Sequence, residues 1–141
     1  MDSNMTQEQK DLLLKDISAR LPYGVKVLYE KQIYKISEVS ICNETITIYG
    51  ERGYPIEVEL QKVKPYLFPL SSMTEEQKND LTKNLHSNVF VKDEISFWCL
   101  FTANMMGEWK KVFEWCVKNH FDICGLIPMG LAINATELNI Y

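Results

Sequence analysis

A chain of 141 residues with 46% apolar side chains is long enough to bury a core and too apolar to stay disordered. Its 15 basic and 19 acidic residues leave a net charge of −4, which disfavours sequence-independent binding to nucleic acid, where a basic face is needed. The N-terminal Met1-Asp2-Ser3-Asn4 has neither a basic region nor an apolar run, and the longest oily stretch, Ile95 to Met106, falls well short of the ~20 residues of a membrane span. A cytoplasmic protein is therefore expected, with Cys42, Cys99, Cys116 and Cys124 as free buried thiols.

In chain order, Thr6 followed by Gln9 is a capping box, and Leu13, Leu14, Ile17 and Leu21 then mark one helical face. Lys10, Asp11, Lys15 and Asp16 fall mainly on the other face, and Pro22 and Gly24 end the helix. From Val25 to Gln61 the period changes to two, clearest in Thr45–Tyr49 and Ile56–Gln61. Turns are expected at Glu30–Gln32, Cys42–Glu44 and Glu51–Gly53, and a slip of the apolar phase between Ile36 and Val39 predicts a bulge. These spacings are too short for crossover helices, so four strands should form an antiparallel meander, open or closed into a small SH3-like barrel.

Val63 to Ser72 is an unusual connector: Tyr66, Leu67, Phe68 and Leu70 lie between and beside two prolines where a linker would be polar. It is expected to pack across both halves of one composite domain spanning residues 1–141, with a helix and β meander in 1–62 and a mainly helical part in 73–141. Thr74 and Gln77 repeat the capping box ahead of Leu81 and Leu85, which is good helix-start chemistry more than a sign of duplication. Residues 89–106 are ambiguous. Val89–Val91 resembles a short strand, while the run through Phe97, Trp98, Cys99, Leu100 and Phe101 has no polar face with which to choose between helix and strand. Trp109, Val112, Phe113, Cys116, Val117 and His120 then follow helical spacing, with Lys110, Lys111, Glu114 and Lys118 opposite and Trp115 on the edge of the stripe. The tail turns often, at Asp122, Gly125, Pro128 and Gly130, and Leu131–Ile133 has the character of a strand. The fold class is α+β.

The phrases Leu21-Pro22-Tyr23-Gly24-Val25, Val63 to Gln77, Asn119-His120-Phe121-Asp122, Gly125-Leu126-Ile127 and Gly130-Leu131-Ala132-Ile133 resemble those of a family of short proteins from gut anaerobic bacteria, their phages and mobile elements. That resemblance touches about a third of the chain and implies a setting, a small bacterial or phage accessory protein, but no functional residue. Asn88 to Gly107 looks like an addition to the family's pattern.

Few residues suggest chemistry. Cys116, His120 and Cys124 recur every four residues, and with Cys99 they form the weak metal candidates; the C-x-x-C knuckles of structural zinc sites are missing, and the helical phase puts Cys116 and His120 in the core. His120 with Cys116 or Cys124 and Asp122 could be read as nucleophile, base and orienter, but residues 120 and 122 do not share a helical face. The competing reading puts His120 at a helix C-terminus, its ring reaching a free carbonyl, and lets Asp122 begin the next turn. Gly24, Gly50 and Gly53 mark turns and form no phosphate loop. No catalytic or cofactor-binding set stands out, and no cofactor is expected. The leading expectation is a non-catalytic protein-interaction module, bound to another protein or to itself, with partner-binding candidates Phe97, Trp98, Phe101 and Trp115. The alternative is a nucleic-acid-associated small barrel using Lys26, Lys31, Lys35, Arg52, Lys62 and Lys64, with Tyr29, Tyr34, Tyr49 and Tyr54 stacking on bases. An enzyme using the His120 region ranks third.

Overall fold

The structure, a computed structural model, describes residues 5–50, 52–83, 90–91, 94–95 and 109–141. Helix α1 (Gln7–Arg20) starts at a complete capping box: Thr6 Oγ1 accepts from the Gln9 amide at 3.1 Å, and Gln9 Oε1 accepts from the Thr6 amide at 3.0 Å. Its buried Leu13, Leu14 and Ile17 lie on one face of a sheet, against Val25, Val27, Ile36, Ile46, Ile48 and Val58. Each such side chain taken out of water contributes about 1.5–3 kcal/mol, which makes this layer the main source of stability.

The meander consists of β1 (Lys26–Tyr29), β2 (Gln32–Ser40), β3 (Thr45–Tyr49) and β4 (Pro55–Glu59), all antiparallel neighbours. The β2–β3 register shifts between Ile36 and Glu38, so the bulge falls at Ser37, where the apolar phase of the sequence slips; Ser37 Oγ donates to Thr47 O at 3.0 Å. The two-residue β1–β2 turn places Glu30 and Lys31 at φ 47° and 67°, a left-handed pair that Asn-Gly would occupy more easily.

The apolar connector is itself a strand, β5 (Lys64–Leu67), antiparallel to β1 and parallel to β8 (Ile133–Asn134). The sheet order is therefore β4-β3-β2-β1-β5-β8, a mixed sheet of six strands. It remains open, with β4 and β8 at its two ends, and the SH3-like barrel does not form. Pro65, Tyr66 and Leu67 are buried, and the chain beyond them is pinned to the tail: Phe68 N donates to His120 O, Asp122 N to Phe68 O, and Ala135 N to Leu67 O, each at 2.8 Å.

Helix α2 (Glu75–Thr82) repeats the capping box with Thr74 and Gln77. Strands β6 (Phe90–Val91) and β7 (Glu94–Ile95) pair antiparallel, and α3 (Trp109–Lys118) follows. A second core of Met73, Leu81, Val112, Cys116 and Phe121 joins α2 to α3, and Phe68, Leu70, Trp115 and Ile123 pack on it. Phe68, directly after β5, thus carries the chain from the sheet into the helical layer.

Candidate functional site

The C-terminus of α3 is closed by two backbone bonds, His120 N to Val117 O at 3.2 Å and Phe121 N to Cys116 O at 2.8 Å. This is a Schellman ending with histidine, not glycine, in the left-handed position at φ 66°. The His120 ring reaches no helix carbonyl among the described residues. It stacks on Tyr141 with centroids 3.6 Å apart and planes 9° apart, and its Nδ1 is buried without a partner among the described residues. Tyr141 holds this arrangement against the sheet, since its hydroxyl accepts from Lys26 N at 2.9 Å and donates to Tyr66 O at 2.8 Å. Burial, followed by the charges of Arg20 and Lys26, lowers the His120 pKa to about 4, so the ring is neutral at pH 7.

Beneath this cap lies a buried ion pair that helical patterning concealed. The apolar spacing of α1 puts Asp16 mainly on its polar face, yet its side chain and that of Arg20 are both 0% exposed. Arg20 Nε donates to Asp16 Oδ1 at 2.5 Å, while Nη2 donates to Asp16 Oδ2 at 3.2 Å and to Phe121 O at 2.6 Å. The guanidinium thereby ties the end of α1 to the end of α3, and only its Nη1 lacks a partner among the described residues. The i,i+4 spacing of Asp16 and Arg20 was the available signal, but that spacing is equally common on solvated helix faces.

The sulfur atoms around this pair are held as thiols, whereas Cys42, in the turn after β2, is exposed and not buried as expected. Burial raises the Cys116 pKa to about 12, with Arg20 opposing the shift and Cys124 adding to it. Cys124 is also raised to about 12, first by burial and then by the charge and hydrogen bond of Asp16. Both metal binding and nucleophilic attack need the thiolate. Asp122 does not orient His120: its carboxylate accepts from the Leu126 and Ile127 amides at 2.8 and 2.9 Å, where it starts the next turn, and His120 Nδ1 stays unpartnered among the described residues. Among the described residues no three His, Cys, Asp or Glu side chains gather as metal ligands; Cys99 lies outside them. The chemistry of this centre is that of a clamp: neutral, desolvated and hydrogen-bonded.

The accessible counterpart is the groove between α2 and α3. Trp115 stacks on Phe121, with centroids 5.6 Å and planes 14° apart, and its Nε1 donates to Asp80 Oδ2 at 2.8 Å. The half-buried indole is fixed from two sides and lines hollows on both flanks, one with Gln77, Lys83 and Asn119, the other with Tyr23, Lys111 and Lys118. Residues 84–108 connect the two helices that form the groove. Of the expected contact residues, Trp115 is placed here, while Phe97, Trp98 and Phe101 lie outside the described residues.

The tyrosines named for base stacking divide. Tyr29 and Tyr34 pack on the main core, whereas Tyr49 and Tyr54 are exposed. Lys26 is engaged by the tail, donating to Ile140 O at 2.8 Å. No helix among the described residues is long and apolar enough to cross a membrane. Comparison with protein-family models, with curated proteins and with solved structures found no match to this chain.

Proposed function

We propose that the chain is a small non-catalytic protein-interaction module that engages a protein partner through the α2–α3 groove around Trp115. One observation carries this reading: Trp115 is immobilised by Phe121 and Asp80 yet remains half-open at the centre of a groove bordered by charge. An aromatic side chain ordered before binding loses little further freedom on contact, and tryptophan is favoured at the centre of interfaces. The inert clamp supports the non-catalytic part, since its thiols are protonated and its histidine lacks an orienting carboxylate. The resemblance to accessory proteins of gut anaerobes and their phages suggests a bacterial cytoplasm as the setting and another accessory protein or a host protein as the partner.

The test is affinity capture from a bacterial host lysate, with and without nuclease, using the parent and a Lys111→Glu/Lys118→Glu variant. Both lysines are exposed on α3, so the variant should melt like the parent. The reading predicts a polypeptide retained after nuclease treatment and lost with the variant. Capture that disappears with nuclease would favour the nucleic-acid alternative, which the exposed Tyr49 and Tyr54 keep open.

A further inference from the structure

The solvent face of the sheet, opposite α1, sorts its charges. Register places Lys26 directly opposite Lys35 on β1 and β2, and Lys64 of β5 opposite Leu28, so three lysines occupy one end of the face on adjacent strands. The other end carries Glu38 of β2, opposite Thr47, with Glu57 and Glu59 of β4 opposite Thr47 and Thr45. Like charges on neighbouring strands repel, and a folded sheet rarely keeps them without compensation. Tail contacts engage Lys26, through Ile140 O and the Tyr141 ring 5.7 Å away. Among the described residues, Lys35, Lys64, Glu38 and Glu57 enter no ion pair. Among the described residues, Glu59 accepts only from the Gln61 amide group at 3.0 Å. Two large apolar side chains stand on the same face, Ile33 at 50% exposure and Tyr49 at 51%.

We infer that this face binds a second copy of the chain, in a two-fold dimer that sets the lysine end of each sheet over the glutamate end of the other. A patch with opposite charges at opposite ends is complementary to its own image after half a turn about an axis that lies parallel to the sheet and crosses the line joining the two ends, which is the requirement of an isologous contact. The arrangement neutralises both unpaired clusters and covers Ile33 and Tyr49 in one step. A nucleic-acid strand fits less well, because the three glutamates on the face repel phosphate and the net charge is −4. This surface is distinct from the Trp115 groove, so either reading can fail without the other.

The experiment is sedimentation equilibrium of the full chain with two charge-reversed variants, Lys35→Glu/Lys64→Glu and Glu57→Lys/Glu59→Lys. The substitutions sit on the solvent face, and thermal melts check that each variant folds. The parent should dimerise at low salt and weaken as salt rises, and each variant alone should bind itself at least about tenfold more weakly. An equimolar mixture should recover the dimer, since every glutamate end then meets a lysine end. Two results overturn the proposal: a parent that is monomeric at millimolar concentration in low salt, or a mixture no more associated than its components. Binding of labelled oligothymidylate by a monomeric parent, lost in the lysine variant, would also overturn it and assign the face to an anionic strand.

Discussion

Replacing Arg20 by methionine removes the guanidinium from a site where neither it nor its partner touches water. Three hydrogen bonds are lost, two to the Asp16 carboxylate and one to Phe121 O. Phe121 O keeps a second donor, the Ile123 amide at 3.0 Å, but Asp16 is left as a buried charge whose remaining neighbour is the Cys124 thiol. Breaking a buried pair by removing one partner costs about 3–5 kcal/mol, against a total of roughly 5–15 kcal/mol for a domain. Removing both charges behaves differently, because no uncompensated ion remains. Asp16→Leu/Arg20→Met should therefore recover about 2 kcal/mol or more of the single variant's loss. Urea titration followed by circular dichroism measures both, provided the slopes of the transitions agree. A single variant within about 0.5 kcal/mol of the parent, or a double variant whose losses add, would show that the pair is not the buried clamp described.

Four further outcomes are expected. With its folded pKa lowered to about 4, His120 binds fewer protons folded than unfolded between about pH 4 and 6.5, so its contribution to stability falls as pH drops through that window. His120→Asn, which suits the left-handed backbone, should flatten that part of the pH profile of the melting temperature, and an unchanged slope would contradict the neutral-ring assignment. At pH 8 a maleimide should label the exposed Cys42 in the native protein and leave Cys116 and Cys124 unmodified until denaturant is added, as peptide mass spectrometry would show. Replacing Glu30-Lys31 by Asn-Gly should stabilise the chain by about 1–2 kcal/mol by relieving two left-handed residues, and a lower urea midpoint would contradict this turn geometry. Elemental analysis of purified protein should find no stoichiometric zinc, and about one zinc per chain with unfolding in chelator would return Cys99, Cys116, His120 and Cys124 to the status of a site.

The elements that the sequence revealed are those whose signals are local. Both capping boxes, the period of two through the meander, the bulge at Ser37 and the α3 stripe each depend on residues a few positions apart. What it concealed depends on long-range pairing. Nothing in Lys64–Leu67 or Ile133–Asn134 announces a parallel pair, and that pairing extends the sheet beyond the meander. Asp16 and Arg20 resemble solvated helix residues until the α3 terminus arrives and gives the guanidinium a carbonyl, and the apolar tail suggests that Tyr141 is tied down without showing that His120 is its stacking partner. Trp115 was legible as an edge residue of its stripe, but its fixation by Asp80, 35 positions earlier, was not.

The central claim, that the Trp115 groove is the contact surface, is tested most directly by site-specific photocrosslinking. A benzophenone side chain is placed at Lys118, beside the groove, or at Lys15, exposed on α1, and each protein is irradiated in nuclease-treated host extract. The account predicts a discrete crosslinked polypeptide from position 118 and none from position 15. Crosslinks from position 15 alone, or none from position 118 while a partner is still captured, would contradict it.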